Sequence, residues 1–244
     1  VRRTKRTALV LILFALLLAG APVHSGVASP LTGTLWCTDK ASMALLAGSS
    51  GTGQYTTGYS SPDGTYQPTA YGWWARLARQ AQSNFGTTSA NYSHGGAQAS
   101  DFLADGRWSN TTGAVGSIEA TRPRLTIISL GTNEYLGQVP PAEFAANLAD
   151  LVSRVQAANP AGNLMLTTQW TAYVPAPTYP WSQYAQAIRD VAVSHSAAML
   201  DLRQYIPPAS DPDWARFYHP DRIHLLDHAH LIVSAAVATR ALGC

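Results

Sequence analysis

Residues 44–54 read ALLAGSSGTGQ. An apolar run that stops at Gly48, followed by two serines and two more glycines, predicts a buried strand that delivers a hydroxyl into a tight turn at a sheet edge. Ser50 is the candidate nucleophile of this turn. A serine hydroxyl attacks only when a base takes its proton and fixed donors stabilise the resulting oxyanion, so the rest of the chain is read for both.

Downstream, strand-like runs alternate with helical ones. Met43–Ala47, Thr87–Ser93, Leu125–Leu130 (LTIISL), Leu164–Thr168 and Ala198–Leu202 read as five strands. Between them, apolar residues recur at helical spacing from Trp73 to Gly86, from Pro140 to Asn159 and from Gln183 to His195. A short helix is expected around Ala97–Leu103, and a last one through Ala241, capped by Asp227. Residues 51–72 and 105–123 read as turn-rich connections, and 170–181 (WTAYVPAPTYPW) as an aromatic loop bordering the cleft. Trp73 and Trp74 read as core packing. Strands alternating with helices predict parallel pairing through right-handed crossovers, hence a three-layer α/β/α sandwich on a mainly parallel five-stranded sheet. Ligands gather at the carboxyl ends of such strands, where Ser50, Gly96 and Asn133 all fall.

The chain opens with Arg2, Arg3, Lys5 and Arg6, then an apolar run and the small residues GVASP. This is the layout of a secretory signal peptide over residues 1–28, and the run is short for a bilayer span of ~20 residues. Cleavage after Ala28 would remove four positive charges and no negative ones, turning the formal net charge from +2 to −2. The basic balance therefore belongs to the leader, and no nucleic-acid footprint remains. Residues 29–244 are expected to form one secreted, monomeric domain with no stable membrane span. Its two cysteines, Cys37 and Cys244, are expected to pair as a disulfide in an exported protein.

Near the C-terminus, residues 219–230 read HPDRIHLLDHAH, placing Asp221 three residues before His224. On one turn the acid can reach Nδ1 of the imidazole and leave Nε2 facing a serine, the division of labour that acyl transfer requires. His224, His228 and His230 also suggest a metal set, but there is no His-Glu-x-x-His spacing, and His224 is expected to precede the helix that carries the other two. No metal and no cofactor are expected. His228 is instead assigned to the helix start and His230 to the helix face. An α/β-hydrolase is a poorer fit: its nucleophile elbow needs glycine where Thr52 stands, and His94-Gly95-Gly96 follows the serine instead of preceding it.

These blocks resemble the SGNH hydrolases, also called GDSL esterases and lipases. Gly48-Ser49-Ser50 is similar to the Gly-Asp-Ser block, Gly96 to the glycine block, Asn133 in GTNE to the asparagine block, and Asp221 with His224 to the closing Asp-x-x-His block. The resemblance implies a flavodoxin-like fold and a Ser50–His224–Asp221 triad. It also implies an oxyanion hole from the Ser50 and Gly96 N–H groups and the Asn133 amide. Ser50 is preferred to Ser49 because it has the motif's spacing from Gly48, which leaves Ser49 in the place of the family's aspartate. The implied substrate is a small-molecule, lipid or acylated-carbohydrate ester. A serine acyltransferase, or a carbohydrate-binding or surface-interaction protein that keeps the fold without turnover, are the alternatives. The seven tryptophans and eleven tyrosines would suit the binding role.

Overall fold

A computed structural model describes residues 39–243. The expected leader at 1–28 and the expected Cys37–Cys244 pair lie outside the described residues.

Five strands build one sheet: β1 (Ser42–Ala47), β2 (Thr88–Asn91), β3 (Leu125–Ser129), β4 (Asn163–Thr168) and β5 (Ala198–Asp201). Their order is β2-β1-β3-β4-β5 and every pair is parallel, so the expected sandwich is the observed one. The central strands are apolar on both faces because both are covered. Along β1, Met43, Leu45 and Ala47 enter one core with Trp73, Trp74, Leu77, Val233 and Val237, while Leu46 enters the other with Ile128, Phe144, Leu148 and Tyr184. The first layer comprises α2 (Trp73–Phe85) and α8 (Asp227–Leu242); the second includes α4 (Ala114–Thr121), α6 (Pro141–Ala158) and α7 (Trp181–Ser194).

Three expectations are revised. The two serines open a one-turn helix, α1 (Ser49–Thr52), closed by Gly53 in the left-handed region at φ +88°. The connection at 105–123 is largely helical, with α3 (Ser109–Thr112) preceding α4. Its Ser, Asn, Thr and Gly residues are weak helix formers, and it is the burial of Ala114 and Ile118 in the second core that selects the helix. Asp227 does not cap α8: Leu226 holds the cap position, and the Asp227 carboxylate in the first turn accepts the Thr57 N–H at 3.0 Å. A further short helix, α5 (Thr132–Leu136), follows β3 directly. Among the described residues no helix is long and apolar enough to cross a membrane.

The parallel order reverses direction at β1, since β2 lies on one side of it and β3 on the other. At that point the connections leave in opposite directions and open a crevice at the strands' carboxyl ends. Ser49 follows β1 and Asn133 follows β3 there.

The inner face of α8 carries His230, wholly buried, whose Nδ1 accepts the Trp73 backbone N–H at 3.4 Å while the Trp170 ring meets it edge-on. Burial pushes its imidazole down to about 3; Asp227 works against this, and His224, His219 and Arg76 add to it. An unfolded histidine takes its proton near pH 6.5, so between there and about 3 the unfolded chain holds the extra proton, and stability falls as pH drops. His230→Asn keeps an acceptor for Trp73 and removes the titration. Urea midpoints measured from pH 7.5 to 4.5 are expected to fall more steeply for the parent chain than for this variant; equal slopes would refute the assignment.

Candidate active site

Ser49 and Ser50 occupy consecutive positions of α1, and side chains at consecutive helical positions point about 100° apart. The two hydroxyls therefore take different partners. That of the half-buried Ser49 meets an imidazole, its Oγ lying 2.9 Å from His224 Nε2. His224 Nδ1 lies 2.7 Å from Asp221 Oδ2, so the ring donates its Nδ1–H to the carboxylate and presents Nε2 as acceptor for the serine hydroxyl. Burial works to raise the Asp221 carboxyl. Hydrogen bonds from the His224 ring and from the Ile223 and His224 N–H groups outweigh it and hold the group down at about 2.

The serine that meets the imidazole is therefore Ser49, one residue before the expected Ser50. Ser50 is buried beneath the turn, where its Oγ accepts from Gln169 Nε2 at 2.6 Å. Gln169 also donates to the Ser129 carbonyl at 2.8 Å and accepts from the Thr132 hydroxyl, and Thr167 donates to Ser129 Oγ at 2.8 Å. This buried polar cluster fastens the ends of β1, β3 and β4 to one another. Trp73 Nε1 donates to the Ser50 carbonyl at 2.6 Å and secures the same turn from the α2 side. The Ser50 hydroxyl thus has a fixed partner away from the imidazole.

Counting back from Ser49 instead of Ser50 also moves the aspartate position of the Gly-Asp-Ser block onto Gly48. The space that a side chain would need there is already filled. A Cβ on Gly48 would lie 2.6 Å from Asn133 Nδ2 and 3.3 Å from the Ala97 carbonyl oxygen. Asn133 Nδ2 donates to that carbonyl at 2.8 Å, so the amide is seated against the turn because position 48 has no side chain.

Gly96, the third expected donor, lies in the left-handed region at φ +78°, where glycine is unstrained. No acceptor for its N–H is found among the described residues. Its loop is fixed from two sides. Arg107 donates to the Gly96 carbonyl at 2.8 Å and is itself held by Asp101, with contacts at 2.6 and 2.7 Å. Glu134 accepts the Ala99 N–H at 2.6 Å with one oxygen and the Gly131 N–H at 3.1 Å with the other. This one carboxyl ties the glycine loop to the turn that carries Asn133. Burial pushes it up to about 7 against those two bonds, and Asp101 adds to the rise.

The base loop has its own supports. Trp170 Nε1 donates to the Ile223 carbonyl at 2.9 Å, and the Arg222 guanidinium lies over the Tyr173 and Trp214 rings, 3.8 and 4.8 Å from their centroids. The aromatic loop at 170–181 thus clamps the Asp221–His224 turn. Ser49, Gly96, Asn133 and His224 line a common cleft of about 430 Å³ with Gln54, Asp63 and His94. Sequence reasoning passed over Gln169, Glu134 and Arg107, whose roles lie in partners 35, 40 or 119 residues away or in a loop carbonyl 11 residues back. Only the Glu of GTNE had a local signal, as the third residue after the Gly131 cap.

The model of the GDSL-like lipase/acylhydrolase family matches residues 53–232, starting just past the Ser49 turn. No curated protein matches the chain by sequence. Among solved structures it is similar to a GDSL-like lipase candidate from Parabacteroides merdae, with a TM-score of 0.66 and 13% identity over 83% of this chain and 96% of that one. It is also similar to a psychrotrophic esterase from Pseudoalteromonas sp. inhibited by monoethylphosphonate, with a TM-score of 0.58 and 19% identity over 84% and 98% of the two chains. A variant of a Geobacillus acetyl-xylooligosaccharide esterase gives 0.60 and 16% over 86% and 96%. At these identities the structural likeness is one of fold, and the family model, which spans most of the sequence, carries the assignment: the chain belongs to the GDSL-like lipase/acylhydrolase family.

Proposed function

We propose that this hydrolase cleaves carboxylic esters through an acyl-enzyme on Ser49. The observation that carries the proposal is the continuous hydrogen-bond line from Ser49 Oγ through His224 to Asp221 at the mouth of the crevice. In this reading His224 Nε2 takes the Ser49 proton as the oxygen attacks the ester carbonyl, then gives it to the departing alkoxide. Asp221 keeps the ring in the required tautomer and stabilises the imidazolium that forms. Water, deprotonated by the same nitrogen, releases the acid and restores Ser49.

The developing oxyanion is assigned to the Ser49 N–H at the start of α1, the Gly96 N–H and the Asn133 amide. The Asn133 nitrogen has two hydrogens and uses one on Ala97, which leaves the other for substrate. Small-molecule esters are the substrates this reading supports. The basic and apolar residues at the start of the chain support export to the outside of the cell as its setting.

The two serines separate cleanly by substitution. Ser49→Ala is expected to abolish turnover of a chromogenic short-chain ester and labelling by a fluorophosphonate. Ser50→Ala is expected to keep both and to lower stability by about 1 kcal/mol, through the lost bond to Gln169. Labelling that persists in Ser49→Ala and vanishes in Ser50→Ala would reverse the assignment.

Gly48→Ala tests the oxyanion donor without touching it. The added methyl must displace the Asn133 amide, so kcat is expected to fall by about 10–100-fold with the fold retained. In an Asn133→Ala background the same change is expected to cost little more, because both act on one donor. Additive losses in that double-mutant cycle would show that Gly48 acts elsewhere.

A further inference from the structure

The His224 ring is held at both of its nitrogens, by Asp221 and by Ser49, and one of its faces is covered. The Tyr55 ring lies on that face with centroids 4.3 Å apart and planes 19° from parallel. Tyr55 also meets His219 at 5.5 Å, and His219 is joined to the base loop through its N–H to the His224 carbonyl at 2.8 Å.

The backbone at Tyr55 is in an unusual state for its residue type. Its φ is +66°, in the left-handed region that aromatic residues rarely enter. The residue is 47% exposed, so little core burial offsets that conformation. Strain of this kind persists where the surroundings over-determine the backbone, and here the flanking contacts do so. Gln54 N donates to Thr52 Oγ1 at 3.1 Å, the Thr56 hydroxyl donates to the Gly53 carbonyl at 2.6 Å, and Thr57 N donates to Asp227 Oδ1 at 3.0 Å. Each bond fixes the loop that leaves the Ser49 turn and returns it beside the base.

We infer that Tyr55 is a positioning residue for His224. It is carried on the same loop as the nucleophile and holds the imidazole plane so that Nε2 stays directed at Ser49. The stacked π face also favours the imidazolium that exists only after proton transfer, so its effect belongs to the transition state more than to substrate binding. This inference rests on the reading of Ser49 and His224 as nucleophile and base.

The test compares Tyr55→Asn with Tyr55→Phe. Asparagine enters the left-handed region readily and phenylalanine keeps the stacked face. Tyr55→Asn is expected to lower kcat about tenfold on a short-chain aryl ester, to leave KM within about twofold, and to keep or raise Tm. Tyr55→Phe is expected to retain the parent kcat within about twofold. The inference is overturned if Tyr55→Asn keeps its kcat. It is equally overturned if the activity loss follows a fall in Tm and in folded fraction, or if Tyr55→Phe is as impaired as Tyr55→Asn, which would place the effect in the hydroxyl. Ser49→Ala, assayed alongside, reports on the underlying reading alone: activity surviving in that variant would refute the nucleophile, whatever Tyr55 does.

Discussion

The 2.9 Å contact between Ser49 Oγ and His224 Nε2 joins residues 175 positions apart, and the fold is arranged to keep it. Nothing local to either residue could do so. Parallel pairing places the carboxyl ends of β1 to β5 along one edge of the sheet, and the order reversal at β1 opens the crevice into which Ser49 projects. His224 arrives from a long loop that follows β5. Backbone bonds hold that loop, from the Tyr173 N–H to the Arg222 carbonyl at 3.0 Å and from the His219 N–H to the His224 carbonyl at 2.8 Å, and side chains add to them: Trp170 on the Ile223 carbonyl, Tyr173 and Trp214 against Arg222, and Tyr55 on the His224 ring. A loop held by several independent contacts keeps its geometry when one of them fluctuates.

A second set of constraints holds the segments that carry Ser49, Gly96 and Asn133, and it is built from buried polar groups. Gln169 beneath the serine turn and Glu134 between the glycine loop and α5 are each almost fully enclosed, and each spans segments distant in sequence. In a low-dielectric interior such groups are costly unless satisfied, so once satisfied they admit very few alternative arrangements. Apolar packing would bring the same segments together without fixing their rotation. The glycine loop shows that fixing: Gly96 keeps a left-handed backbone that Arg107, itself paired to Asp101, grips through the carbonyl.

How much of this was legible in the sequence follows from the range of each interaction. The five strands, the four long helices covering the two faces and the pairing of Asp221 with His224 rest on local periodicity or a three-residue spacing, and residue types alone announce them. The helices at 109–112 and 114–121 were hidden because their sequence favours turns, and the second of them is held by burial of Ala114 and Ile118 in the second core. Gln169 was hidden for the same kind of reason, as a glutamine after a strand has no pattern that distinguishes a buried bridge from a surface amide. Asp227 carried a misleading local signal: its residue type suits a helix cap, and a loop amide from the far end of the chain took its carboxylate instead.

The two serines set a motif reading against geometry, and the proposed nucleophile follows the geometry. Matching Gly48 to the motif's glycine fixes the spacing only if the turn begins where the motif's turn begins. Here the helical turn has Ser49 as its first residue, and the hundred-degree step between neighbours then sends Ser50 toward Gln169. The shift is tied to Gly48. An aspartate in that place would need the volume that Asn133 and the Ala97 carbonyl now fill, so the missing side chain and the close seat of the amide are two views of one packing solution. The turn is held instead by the Ser50–Gln169 bond and by Trp73 on the Ser50 carbonyl. The second serine thus keeps the first one in place, and the pair is read correctly only when both hydroxyls have been traced to their partners.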